Sequence, residues 1–302
     1  MVRIQPTVAR IALSCLIALG AAQPAFAGLQ ISLVYIENPP QPQSDLVKGG
    51  GQLREIMQVA AENWERIYKR GGGNWKLTIE YGWGELAGRS LYAQEYKISE
   101  AGNNPSRIGH SCILFNTNPI IESPILGFFA DPTPWENSEY LDYTADSINT
   151  EFGWINIGRT FSGPTGHAID RLDMLGIAMH EIGHALGLDD TYSGFLNQFP
   201  GSGPFSIKPP RPFAGFTYFI GNGHIADLGP LPLMISTPPR GKRQLISVAD
   251  ALLLAQFSLF DRPDLSEPSL DFNGDGQSIP TRSVPSSSTC FARPPGPNQG
   301  QW

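Results

Sequence analysis

The chain has 302 residues, room for two average domains or one large one. Charged residues are only 16% of it and Gly plus Pro make up about a fifth, a composition that excludes a coiled coil or helical bundle. A formal charge of −7 leaves no global basic field for nucleic acid, and 41% apolar residues supply a core, which excludes disorder of the whole chain.

Residues 1–27 carry Arg3 and Arg10, an apolar run from Ile11 to Ala22, and Ala25-Phe26-Ala27. This is the pattern of a secretory signal peptide, and the run is shorter than the roughly 20 residues a bilayer requires. Export and a start of the mature chain near Gly28 are therefore expected, with no membrane span in the mature form. Two cysteines remain, Cys112 and Cys290, a candidate disulfide in an oxidising compartment.

Leu29–Ile36 reads as a strand, and Leu53, Ile56, Met57, Ala60, Trp64, Ile67 and Tyr68 recur at helical spacing until Gly71-Gly72-Gly73. Strands are expected at Trp75–Tyr81, Tyr92–Ile98, Cys112–Phe115 and Gly153–Ile157, with 118–150 mostly loop. A second helix is expected from Arg171 to Leu186 with Asp170 as its cap. Residues 193–240 read as a long irregular segment, and a last helix as Ser247–Phe257. The tail 263–302 is rich in Pro, Ser and Gly and reads as unfolded.

The chemistry concentrates in His180-Glu181-Ile182-Gly183-His184-Ala185-Leu186-Gly187-Leu188-Asp189-Asp190. Histidines at i and i+4 project from one helix face, so both rings reach one ion. Glu181 beside the first can take a proton from a water at that ion. Gly187 can adopt the left-handed conformation that ends the helix and turns the chain. Asp190, three residues on, offers a carboxylate as third ligand. Asp189 is its neighbouring competitor and His224 the alternative from further along the chain. His110, His167 and His224 itself read as surface or loop residues.

Extended in this way and followed by Leu233-Met234-Ile235-Ser236, the segment resembles the metzincin metalloproteases, with the Asp form similar to their snapalysin-like bacterial branch. The order of elements is also similar to matrixins. The resemblance implies an α+β fold, a twisted mixed sheet with two long helices above an active-site cleft and a smaller irregular lower subdomain ending in a helix. The catalytic domain so implied spans 28–262, the upper part 28–187 and the lower part 188–262, while the motif resemblance itself covers 180–194 and, less specifically, 230–260. It implies Zn²⁺ held by His180, His184 and Asp190, Glu181 as general base, and Met234 in a turn beneath the metal. The function implied is that of a monomeric, secreted zinc endopeptidase acting on protein or peptide. Ser236 stands where several relatives carry a Tyr near the metal. Tyr192 is a candidate phenol whose expected role is packing.

An extended substrate would add to a sheet edge, for which Cys112–Phe115 and Ile125–Phe129 are candidates. Asp271-Phe272-Asn273-Gly274-Asp275-Gly276 resembles the start of a calcium loop, but Arg282 stands where the closing Glu belongs, so structural Ca²⁺ has weak support. Two rival functions remain: a non-catalytic binding or adhesion protein on the same scaffold, and a structural zinc domain. The intact Glu181 argues against the first. A set of only three ligands, with no Cys, argues against the second.

Overall fold

The computed structural model describes residues 28–37, 40–42, 45–86, 92–100, 107–118, 127–199 and 202–266. The signal-peptide segment, Cys290 and the calcium-like loop lie outside the described residues. The fold is α+β. In chain order the strands are β1 (Leu29–Tyr35), β2 (Val47–Lys48), β3 (Trp75–Gly84), β4 (Ala93–Glu100), β5 (Ile108–Asn116), β6 (Phe128–Phe129), β7 (Tyr140–Thr150), β8 (Gly153–Pro164), β9 (Leu172–Asp173), β10 (Gly203–Ser206), β11 (Thr217–Gly221), β12 (His224–Ile225) and β13 (Arg243–Leu245). The helices are α1 (Leu53–Ile67), α2 (Met174–Ala185), α3 (Ser193–Gln198) and α4 (Val248–Phe257).

The main sheet runs β1-β3-β5-β4, the first three parallel and β4 antiparallel at the edge. Alternation along β3 buries Trp75, Leu77, Ile79 and Tyr81 on one face, and β5 buries Ile108, Ile113 and Phe115. Helix α1 buries Leu53, Ile56, Met57, Ala60, Ala61, Trp64 and Ile67, a stripe at the helical period. Trp64 is fully buried and its indole N–H donates to the Met179 carbonyl at 2.9 Å, tying α1 to α2. Removing that ring should cost about 3–5 kcal/mol.

Helix α2 is apolar on nearly all sides and lies in the core. It starts at Met174 rather than Arg171, because Asp173 and not Asp170 accepts the first-turn amide of Gly176 at 2.8 Å. Asp170 instead takes a left-handed backbone (φ 56°) in the preceding turn. Arg243, fully buried, reaches Asp173 through Nε (3.0 Å) and Nη2 (2.8 Å) and also pairs with Asp131. The start of α2 is thereby fixed to β13 and to the loop before β7.

Two segments expected to be irregular are ordered. Residues 140–150, expected as loop, form β7, which makes a long hairpin with the expected strand at Gly153–Ile157, here extended to Pro164 as β8, and β13 adds to β8. Residues 203–225 form the small sheet β10-β11-β12, and Tyr218 of β11 donates its hydroxyl hydrogen to the Ala249 carbonyl of α4 at 3.0 Å. Among the described residues no helix is long and apolar enough to cross a membrane. Cys112 is half-buried in β5 and has no disulfide partner among the described residues.

Candidate metal centre

Three elements meet beside α2. The helix presents His180 and His184 one turn apart, and at Gly187 (φ 117°) the chain leaves the helix. The β11–β12 turn, Asn222-Gly223, has positive φ at both residues (50° and 69°), the pattern of a type I′ hairpin, which Gly adopts without strain. That turn swings His224 over α2. The ring centroids of His180, His184 and His224 lie 4.7, 5.3 and 5.0 Å apart, and one ligand nitrogen from each falls within 4.8 Å of the others.

The outer hydrogen bonds set the tautomers. Nδ1 of His180 contacts the Leu233 carbonyl (2.9 Å), Nδ1 of His184 the Leu188 carbonyl (2.6 Å) and Nδ1 of His224 the Asn222 carbonyl (2.6 Å). A carbonyl only accepts, so each Nδ1 carries the hydrogen and each Nε2 of a neutral ring presents a lone pair. Burial depresses all three imidazoles, and repulsion from neighbouring rings adds to it at His180, well below the usual range, and at His184, lowered to about 4, so the rings are neutral at pH 7.

Nε2 of His180 and Nε2 of His184 then face each other at 3.0 Å with no hydrogen between them. A cation between them relieves that repulsion. Two nitrogens each about 2.0–2.1 Å from a tetrahedral Zn²⁺ are about 3.3 Å apart. The donor set therefore fits zinc: three neutral imidazoles, each oriented by a backbone carbonyl.

Glu181 is 7% exposed and lines the same cleft, a space of about 280 Å³. Burial, reinforced by the nearby Glu95 carboxylate, pushes its pKa up to about 8, while the Glu95 main-chain N–H bonded to it pulls the other way. Glu95 belongs to β4, which lines the cleft with Tyr92 to Glu95. The sheet edge beside the cleft is therefore β4. Cys112–Phe115 lies inside the sheet between β3 and β4, and of Ile125–Phe129 only Gly127 and β6 are described.

Met234 is fully buried beneath the site. A Cβ added at Gly183 would lie 2.4 Å from its sulfur, so the Gly of the motif makes room for this side chain. The turn around it is held on several sides. The Leu233 and Met234 amides donate to Asp250 (3.0 and 2.9 Å), and the Met234 carbonyl accepts the Ile225 amide (2.8 Å). Asp250 also closes a capping box with Ser247 at the start of α4. One buried carboxylate thus joins α4 to the turn, and the Leu233 carbonyl joins the turn to His180.

The expected residues His180, Glu181, His184 and Met234 come together around one point. Asp190 lines the cleft but is exposed on its rim, outside the imidazole cluster. Asp189 is occupied by the Thr191 amide (2.8 Å) and hydroxyl (2.9 Å). Tyr192 is buried with its ring against Gly187 and Gly194. His110 is in β5, 3.0 Å from Glu80, and His167 is exposed in a short 3-10 turn. The third imidazole, His224, had a local signal in the sequence: Asn-Gly between the apolar runs Tyr218–Ile220 and Ile225 marks a tight hairpin. Compared with family models, curated proteins and solved structures, the chain finds no match in any of the three.

Proposed function

We propose that the chain is a zinc-dependent endopeptidase of metzincin type, exported through its first 27 residues, with His180, His184 and His224 as metal ligands. The observation that carries this reading is the convergence of three carbonyl-oriented imidazoles beside a buried glutamate in a cleft walled by an edge strand. Zn²⁺ in such a set supplies Lewis acidity toward a peptide carbonyl and toward water.

The chain's own groups do the rest. An extended peptide gains main-chain hydrogen bonds along β4, which fixes its scissile bond next to the cluster. Glu181 takes a proton from the attacking water and delivers it to the departing amine. Burial shifts its pKa above that of an ordinary glutamate, the direction that makes a carboxylate a stronger proton acceptor. Three ligands leave a position free for substrate, whereas a structural zinc site closes with four.

The test is metal content and casein hydrolysis of the wild type and Glu181→Gln. The reading expects about one zinc per chain in both proteins and hydrolysis only in the wild type, abolished by a chelator. A zinc-loaded wild type that cleaves nothing, or a Glu181→Gln variant that cleaves normally, overturns it.

A further inference from the structure

The cleft runs alongside α2, with an exposed lysine near one end of the helix and an exposed aspartate past the other. Near the start of the helix it is lined by Asp173, Gly176, Pro238, Pro239 and Lys242. Arg243 is shared there between two buried carboxylates, Asp173 and Asp131, while Lys242 is exposed and makes no salt bridge among the described residues. Asp146 of β7 feels its charge but lies beyond ion-pair distance. Past the other end of the helix Asp190 is exposed on the rim, likewise without a salt bridge among the described residues, and its charge acts on His224. With 12 residues, α2 is about 18 Å long, the span of about five residues of extended peptide.

We infer that this cleft selects its peptide by charge polarity: Lys242 receives a substrate carboxylate and Asp190 a substrate cation, on opposite sides of the imidazole cluster. The inference rests on the endopeptidase reading and adds a substrate class to it, peptides carrying an acidic and a basic residue about five positions apart around the scissile bond. The carboxylate at Lys242 has two sources, an acidic side chain or the terminal carboxylate of a short peptide.

The experiment uses zinc-loaded full-length protein and three peptides of one backbone, with Glu and Lys five positions apart, the same pair exchanged, and Gln at both positions, each with a free and an amidated C-terminus. Cleavage rates and sites are read by mass spectrometry. One Glu/Lys order should exceed its exchanged partner in kcat/KM by about threefold or more, the scale of rim charge pairs. That ratio should shrink between 0.1 and 1 M salt as the screening length falls from about 10 to 3 Å. Lys242→Glu should remove or invert the preference, and Asp190→Lys should act on the opposite position. A side-chain source survives amidation, and a terminal source is lost with it.

Equal cleavage of both orders, or a preference that Lys242→Glu leaves intact, overturns the inference while turnover continues. Cleavage of none of the peptides by zinc-loaded protein instead removes the endopeptidase reading, and the inference with it.

Discussion

Two stretches of chain build the candidate metal centre in different ways. Residues 174–190 do so locally: one helix period aligns His180 with His184, and Gly187 turns the chain away. Residues 203–250 do so through long-range contacts. A hairpin brings His224 in from 40 residues beyond His184, and a buried Asp250 holds the turn that carries Leu233 and Met234. The first stretch needs only backbone geometry to be competent. The second is competent only when β11, the Met234 turn and α4 are packed on one another, so its contribution should be lost by changes that leave α2 intact.

The largest effect that sharpens this contrast is expected at His224. His224→Ala should lower zinc affinity by well over a hundredfold, more than loss of a supporting contact around a metal ligand, and abolish hydrolysis while helicity is unchanged. Zinc titration followed by competition with a chromophoric chelator reads the affinity. A variant that keeps wild-type zinc binding would remove the hairpin from the centre and return the third ligand to the local segment.

Next in size is Asp250→Ala. It strands the buried amides of Leu233 and Met234 and removes the return half of the α4 capping box, the Ser247 amide bond to Asp250, at about 1–3 kcal/mol for each buried group left unpaired. Chemical denaturation should show a loss of several kcal/mol in total, and zinc affinity should fall with it through the Leu233 carbonyl on His180. Unchanged zinc affinity in the folded fraction would mean that α2 orients His180 without help from the turn.

Gly183→Ala should cost less, about 1–3 kcal/mol, the range for overpacking a core. The new Cβ meets the Met234 sulfur, so the double variant Gly183→Ala, Met234→Ala should recover part of that loss. Thermal melts of the two single variants and the double test it. Additive losses would show that helix and turn are not in energetic contact.

These expectations also mark what was legible in the sequence. The pairing of His180 with His184 and the place of Glu181 beside them follow from spacing alone, since i and i+4 share a face in any helix. The helix start did not, because Asp170 and Asp173 are equally good caps on paper, and the choice is made by Arg243, 70 residues downstream of Asp173. The β7 strand was hidden by its alternation of Asp, Thr, Ser and Asn on an exposed ladder, a pattern that also describes a loop. Edge strand β4 was read as a strand, but that it lies at the edge is a property of strand order, which no local pattern encodes. His224 sits on a recognisable Asn-Gly hairpin. Its destination was not readable, because the contacts that aim it, Ile225 to Met234 and Tyr218 to Ala249, join distant parts of the chain.

The smallest expected effect falls on the residue that spacing favoured. Asp190→Asn removes a carboxylate that is exposed and reaches the cluster only through its field at His224. Zinc content should stay at about one per chain, and affinity should change by no more than about fivefold, the scale of an exposed charge interaction. Hydrolysis of a neutral peptide should change by a similar factor, with the residual effect fading at high salt. His224→Ala and Asp190→Asn, measured side by side, therefore give opposite patterns for the two candidate third ligands. Loss of zinc from Asp190→Asn with retention in His224→Ala would reverse the assignment and place the whole ligand set within ten residues of His180.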